Sequence, residues 1–306
     1  MLIDRFGRPL THMRISVTLR CNHSCIFCHR EGIRSSSGYE LSPNELALIA
    51  KVASELGIVN YKLTGGEPLV RNDVIDIVKS IKPYAKVLSI TTNGSLLSKY
   101  AKGLAEAGID YINVSLHSLR PSTFKLITGG DISKVLEGVK EALNQGIKLK
   151  LDFLLLRYNV SEVNDIINYA SNLGIDLNII ELIPLGLSLN EWEELHVSIN
   201  GIGDELERVA VRKYVREFQL RPTYVLPTGI KVTLVKGYCN PALCSRCTRI
   251  RLTPDGRLKT CIYREDNSVS LLKYVKEGDV QGIREAIIKA NKLREPFFKY
   301  GGNYGH

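Results

Sequence analysis

No apolar run in this 306-residue chain approaches the ~20 residues that a bilayer-spanning helix requires, so no membrane span is expected. The N-terminal stretch MLIDRFGRPLTHMR is charged and has no apolar centre, which argues against a secretory leader. There is no internal repeat beyond a strand–helix alternation and no low-complexity segment. A Lys/Arg-rich tail is also missing, although 41 basic against 32 acidic residues leave a net charge of +9. Positive charge scattered in this way suits a nucleotide-sized anion at least as well as a nucleic acid. An evenly spaced cysteine framework is lacking too. The seven cysteines are odd in number and clustered, which fits a cytoplasmic metalloprotein better than a disulfide-stapled domain.

What is present starts with Cys21, Cys25 and Cys28, spaced CxxxCxxC just after a predicted strand. Three thiolates can hold three corners of a [4Fe-4S] cube and leave the fourth iron open for a substrate or cofactor. The plainer readings are a zinc site with His23 or His29 as fourth ligand, or unbound thiols. A second group follows: Cys244-x2-Cys247, then Cys261 beyond a Pro254-Asp255-Gly256 turn. Cys239 is left over. As a fourth ligand it would make this site closed and structural; without it the second cluster is again open.

Alternating segments give the fold class. Strands are expected over 13–18, 60–64, 86–92, 110–115, 147–156 and 175–183. Helices are expected from Ser42 to Leu56 and over 74–81, 96–107, 132–144 and 160–173. Ser42, Pro43 and Glu45 form a capping-box start, and Gly57, Gly108, Gly146 and Gly174 are stops. Six βα units predict an α/β protein with a parallel sheet. The Ile/Leu/Val-rich strands read as buried on both faces. Six units are too few for a closed eight-stranded barrel, so an open, partial βα barrel is expected over 1–184. A C-terminal region, 185–306, carries Trp192, two further strands near 223–226 and 230–235, and the second cysteines; it is expected to cover the open side.

Functional groups gather at the C-terminal ends of strands in such folds. There lie the cysteine loop, Thr64-Gly65-Gly66-Glu67-Pro68, Thr91-Thr92-Asn93-Gly94, and Ser115 with His117. The glycine pair would let backbone approach a ligand, and Glu67 would add an acceptor. Taken alone, each loop is equally well an ordinary turn. Arg249 and Arg251 alternate on a strand and so share a face that suits a phosphate or carboxylate. Arg14, Lys62 and Lys150 lie within apolar strand segments, where a cation facing inward is costly unless paired with an anion.

These residues together resemble the radical S-adenosylmethionine (SAM) superfamily. The runs RISVTLRCNHSC, TGGEPLVR, TTNG, NVSL and CSRCTRIRLTPDGRLKTC, with the tail FFKYGG, are similar to the GTP 3′,8-cyclases that open molybdenum cofactor biosynthesis. The resemblance covers essentially the whole chain. It implies two [4Fe-4S] clusters, on Cys21, Cys25 and Cys28 and on Cys244, Cys247 and Cys261, with SAM at the open iron of the first. Reductive cleavage of SAM would then lead to hydrogen abstraction from C3′ of GTP and attack on guanine C8, the second cluster holding the base. SAM contacts would fall on Phe27, Gly65, Gly66, Glu67, Ser115 and Ile183. GTP contacts would fall on Arg14, Lys62, Thr91, Lys150 and the run Arg249, Ile250, Arg251. Gly302 of the tail would assist the catalytic Arg249 and Arg251. An external electron donor and a downstream cyclic pyranopterin monophosphate synthase are further implied partners, while monomer and homodimer both stay open. The chain departs from the pattern at Asn178, where an arginine is usual, at Lys62 and Ile183, and in four residues beyond Gly302. The competing readings are a peptide-modifying two-cluster radical SAM enzyme and a non-enzymatic metal- or nucleic-acid-binding module.

Overall fold

In the computed structural model, which describes residues 1–238 and 240–296, six strands alternate with helices as far as Glu181. The strands are β1 (His12–Ser16), β2 (Asn60–Thr64), β3 (Val87–Thr92), β4 (Tyr111–Ser115), β5 (Leu149–Leu155) and β6 (Asp176–Glu181). The helices between them are α1 (Pro43–Glu55), α2 (Val74–Ile81), α3 (Leu97–Glu106), α4 (Pro121–Thr128), α5 (Ile132–Asn144) and α6 (Val163–Leu173). Helix α1 starts where the capping box puts it. Ser42 Oγ accepts from Glu45 N, and the Glu45 carboxylate accepts from Ser42 N at 2.8 Å. Such a cap contributes about 1 kcal/mol. Helix α4 was not expected from the pattern, although Pro121 opens it and Gly129, at φ +69°, ends it.

The C-terminal region joins the same sheet. Its strands are β7 (Arg212–Val215), β8 (Pro222–Val225), β9 (Lys231–Val235), β10 (Arg249–Leu252), β11 (Arg257–Lys259) and β12 (Val269–Ser270). The twelve-stranded order is β12-β11-β10-β1-β2-β3-β4-β5-β6-β9-β8-β7. Strand β10 pairs parallel with β1, and β9 parallel with β6. The six-unit parallel core is therefore extended by one parallel strand on each edge, and the sheet remains open. The Pro254-Asp255-Gly256 turn joins the antiparallel pair β10 and β11.

The strands are not apolar on both faces. Ile15, Leu63, Ile90, Val114, Leu151, Ile179, Ile250 and Leu252 are buried in the core, where helices of the βα units cover the sheet. On the alternate positions stand Arg14, Lys62, Ser89, Asn113, Asp152, Asn178 and Arg251. A closed barrel fills its interior with packed side chains. This open one keeps a cavity there, so its inner face is polar and the both-faces expectation fails. Among the described residues, no helix is long and apolar enough to cross a membrane.

Candidate active site

The loops after β1, β2 and β3 brace one another. Gly66 N donates to Thr18 O and Glu67 N to Arg20 O, both at 2.8 Å. A Cβ at Gly65 would overlap the Thr18 carbonyl oxygen, and one at Gly66 the Arg20 carbonyl oxygen. The glycines are therefore needed for the close approach of two protein loops. The Glu67 carboxylate braces the next loop. It takes Thr92 Oγ1 at 2.7 Å, Asn93 N at 2.6 Å and Leu69 N at 2.9 Å, and burial pushes it up to about 7. Asn93 Nδ2 in turn donates to Asn22 Oδ1 at 2.8 Å, inside the cysteine loop. Thus the GGEP and TTNG segments fix the loop that carries Cys21, Cys25 and Cys28. Phe27 sets its ring edge-on to buried His117 at 5.0 Å, and His117 Nδ1 accepts from Leu154 N. Ser115 closes β4 and is half-buried.

Cys21, Cys25, Cys28, Cys247 and Cys261 are in no disulfide. Burial, with Cys28 and Cys21 close by, pushes Cys25 up to about 12. Three thiolates in this setting repel one another, and burial disfavours ionised Cys25, so a strongly cationic group is needed to hold all three ionised. That donor set fits an iron–sulfur cluster. The zinc alternatives fit less well. His29 Nδ1 already accepts from Glu31 N at 3.1 Å, and the His23 ring is wedged against Gly130. Among the described residues, no three His, Cys, Asp or Glu side chains converge as ligands of a single ion.

The inner face of the sheet encloses a cavity of about 570 Å³. Arg14, Lys62, Thr91, Lys150, Arg249 and Arg251 line it, together with Cys244, Cys247, Cys261 and Ile183. Ile250 points the other way, into the core; strand alternation excludes its side chain from the cavity and leaves only its backbone near it. Arg8 Nη1 donates to Cys244 O at 3.0 Å, and Arg294 donates to Cys247 O, which pins the second cysteine segment against the cavity. Cys261 is pushed up by burial, while Arg251 beside it pulls the other way. Burial with Arg221 and Arg251 close by brings Arg249 down to about 9. Gly302 and Cys239 lie outside the described residues.

Several residues that line the cavity or hold its cations carried no signal in the sequence. Glu31, at φ +53° and buried, pairs with Arg14 at 2.8 Å and with Arg251, and accepts from Thr64 Oγ1. These two cations hold its carboxyl well below the usual range despite burial. Glu31 follows Cys28 by three residues, so it ties the first cysteine loop to the cationic wall. Asp152 accepts from Asn113 Nδ2 at 2.8 Å and Asn178 Nδ2 at 2.6 Å. Asn178 is thus occupied in holding an acid. The Tyr111 ring lies under Lys62 at 5.1 Å and Lys150 at 5.4 Å. Isolated Glu, Asp and Tyr residues have no spacing rule that would have singled them out.

The pattern of the radical SAM superfamily matches residues 15–170, and that of Molybdenum Cofactor Synthesis C matches residues 175–300. A "Probable GTP 3′,8-cyclase" of Saccharolobus islandicus is 44% identical over 308 residues, covering 98% of this chain and 99% of that one. Proteins of the same name from Metallosphaera sedula and Sulfurisphaera tokodaii are 42% and 45% identical, with 98% of this chain and 97% of each relative covered. Among solved structures, Streptococcus suis SuiB bound to S-adenosylmethionine aligns with a TM-score of 0.66 at 13% identity, over 92% of this chain and 68% of its own. The protein anSMEcpe with bound AdoMet aligns with a TM-score of 0.61 at 15% identity, over 90% and 82%. At these identities the likeness to SuiB and anSMEcpe is one of fold.

Proposed function

Because this chain belongs to the radical SAM superfamily and, over nearly its whole length, to the GTP 3′,8-cyclase family, we propose that it converts GTP to (8S)-3′,8-cyclo-7,8-dihydroguanosine 5′-triphosphate, the first step of molybdenum cofactor biosynthesis. The observation that carries this reading is the cavity of about 570 Å³, whose cationic wall adjoins the second cysteine trio. Its size lies in the range of small-molecule sites. Triphosphate carries about four negative charges near neutral pH, which Arg14, Lys62, Lys150, Arg249 and Arg251 match.

Two [4Fe-4S] clusters and SAM are the cofactors. Cys21, Cys25 and Cys28 would hold the first cluster, and Cys244, Cys247 and Cys261 the second. When bound, they supply hydrogen-atom abstraction from the ribose and a Lewis-acidic iron for the base. The chain's own residues orient and exclude. The braced loops after β1 to β3 fix the first trio, and Phe27, Gly65, Gly66, Ser115 and Ile183 border the space for SAM. Glu31 keeps Arg14 and Arg251 extended before substrate arrives. In this reading residues 1–184 generate the radical and supply Arg14, Lys62, Thr91 and Lys150 to the substrate cavity, which 185–306 complete with Arg249, Arg251 and the second cluster. A cytoplasmic location and an external reductant follow from the same assignment.

The direct test is anaerobic turnover of reconstituted protein. Product should form only with GTP, SAM and a strong reductant together. GTP left unconsumed under those conditions would falsify the assignment.

Lys62 gives a second, independent readout. Burial beside Arg14 and Arg249 brings its amine down to about 7, with Asp152 opposing the shift. The unfolded chain keeps that proton up to about 10.5, so between pH 7 and 10.5 it binds more protons than the folded chain. This contribution to stability therefore rises with pH across that window and is absent below it. A bound triphosphate reverses the local field and returns the proton. GTP binding at pH 8 should take up close to one proton, read by calorimetry in buffers of different ionisation enthalpy. Lys62→Met should abolish the uptake; unchanged uptake in that variant would remove Lys62 from the site.

A further inference from the structure

We infer that Arg221 is a substrate-binding residue of this cavity, forming with Gln219 and Arg249 a preset clamp for the phosphate oxygens of a nucleoside triphosphate. This rests on the GTP reading above and adds to it a residue outside every motif.

The clamp is made by the turn between β7 and β8. Gln219 and Leu220 both take left-handed backbone, at φ +59° and +47°. Such conformations are unfavourable for residues other than glycine and persist only where the surroundings impose them. Here they place one amide oxygen between two guanidiniums. Gln219 Oε1 accepts from Arg249 Nη2 at 2.9 Å and from Arg221 Nη2 at 2.5 Å. The Phe218 ring lies beneath both cations, 5.0 Å from Arg249 and 5.5 Å from Arg221. Phe218 itself stacks on His12, with centroids 4.7 Å apart. Burial, with Arg249 and Lys62 close by, brings His12 down to about 4. Its ring is neutral at physiological pH and adds no charge of its own.

The electrostatics are unfinished without a ligand. Arg14 and Arg251 share the Glu31 carboxylate, and Arg8 pairs with Asp4. Arg221 and Arg249 form no ion pair with any described residue; the acceptor between them is a neutral amide. Arg221 Nε is buried without a hydrogen-bond partner. Each guanidinium lowers the proton affinity of its surroundings, and burial brings Arg221 down to about 10. Two adjacent half-buried cations that repel each other, aimed by a strained turn at one oxygen, are costly unless an anion completes them. Arg221, Gln219 and Arg249 all line the cavity. Planar guanidinium forks suit phosphate oxygens.

The test is equilibrium binding to anaerobically reconstituted holoenzyme, with GTP, guanosine and inorganic tripolyphosphate as separate probes. Arg221→Met should weaken GTP and tripolyphosphate about tenfold to a hundredfold and leave guanosine within about twofold. Arg221→Lys should recover part of the loss. Gln219→Glu keeps both arginines and the turn but fills the clamp with a carboxylate. A purely structural role for the turn predicts unchanged binding in that variant, whereas the clamp predicts a loss like that of Arg221→Met. Iron content and thermal midpoint report folding in each case. Should GTP bind equally well to wild type, Arg221→Met and Gln219→Glu, the inference is overturned while the GTP reading stands. Should wild type bind tripolyphosphate in an Arg221-dependent way but not GTP, the anion clamp is upheld and the GTP reading falls. Binding of neither probe overturns both.

Discussion

Replacing Cys25 with alanine is expected to leave the protein folded but to remove one of its two clusters and all measurable turnover. Iron should fall from about eight to about four per chain. Product formation should drop by about a thousandfold or more, since no other described group can replace a lost thiolate at that loop. The fold should survive because the cysteine loop contributes nothing to the main core, which lies on the other side of β1 to β6. Cys25 is the informative choice within the trio: its thiol is pushed up to about 12, the largest resolved displacement of the three. A thiol so reluctant to ionise is held as a ligand only by the charge of the metal group itself. The paired control is Cys247→Ala, which should also lose about four irons but retain GTP-independent methionine release from SAM. Eight irons in Cys25→Ala, or identical losses of methionine release in both variants, would mean that the two trios do not have separate roles.

Much of this was legible in the sequence because the signals are local. The capping box at Ser42 and Glu45, the glycine stops and the strand–helix alternation each depend on a few adjacent residues, and the core units fall within a few residues of expectation. The cysteine spacings and the alternating Arg249 and Arg251 are local as well, and both arginines face the cavity. What was not legible is pairing over distance. No window shows that β9 and β10, more than 50 residues beyond β6 and more than 230 beyond β1 respectively, extend opposite edges of one sheet. Nor does any window show that Glu31 meets Arg251 across 220 residues. The glycine pair shows the same limit. Its presence was readable, but its reason was not: the clashing carbonyls of Thr18 and Arg20 lie on another strand's loop.

That reason makes Gly66→Ala the second large effect expected. A methyl group there would overlap the Arg20 carbonyl oxygen and stand 2.8 Å from Leu19 O. These atoms are backbone, so no side-chain rotation relieves the contact. The two loops must part by about 1 Å, in an interior packed too closely to absorb it elsewhere. Parting them stretches the Gly66 N–Thr18 O and Glu67 N–Arg20 O hydrogen bonds, both 2.8 Å. It also drags on the Glu67 carboxylate that holds Thr92 and Asn93. The cysteine loop begins at the residue after Arg20, so the displacement reaches the first trio directly. A misplacement of about 1 Å at a reacting centre costs about a hundredfold in rate. Gly66→Ala should therefore lose at least that much turnover and bind SAM weakly. Its second cluster and its GTP affinity should stay near wild type, because the cavity wall from β1 to β10 does not pass through this turn. Arg20→Ala is the control, since the clash is with backbone and the Arg20 side chain is exposed and paired with Glu40. It should remain close to wild type in turnover. A Gly66→Ala protein that turns over normally would show that the loops are not locked together at this contact.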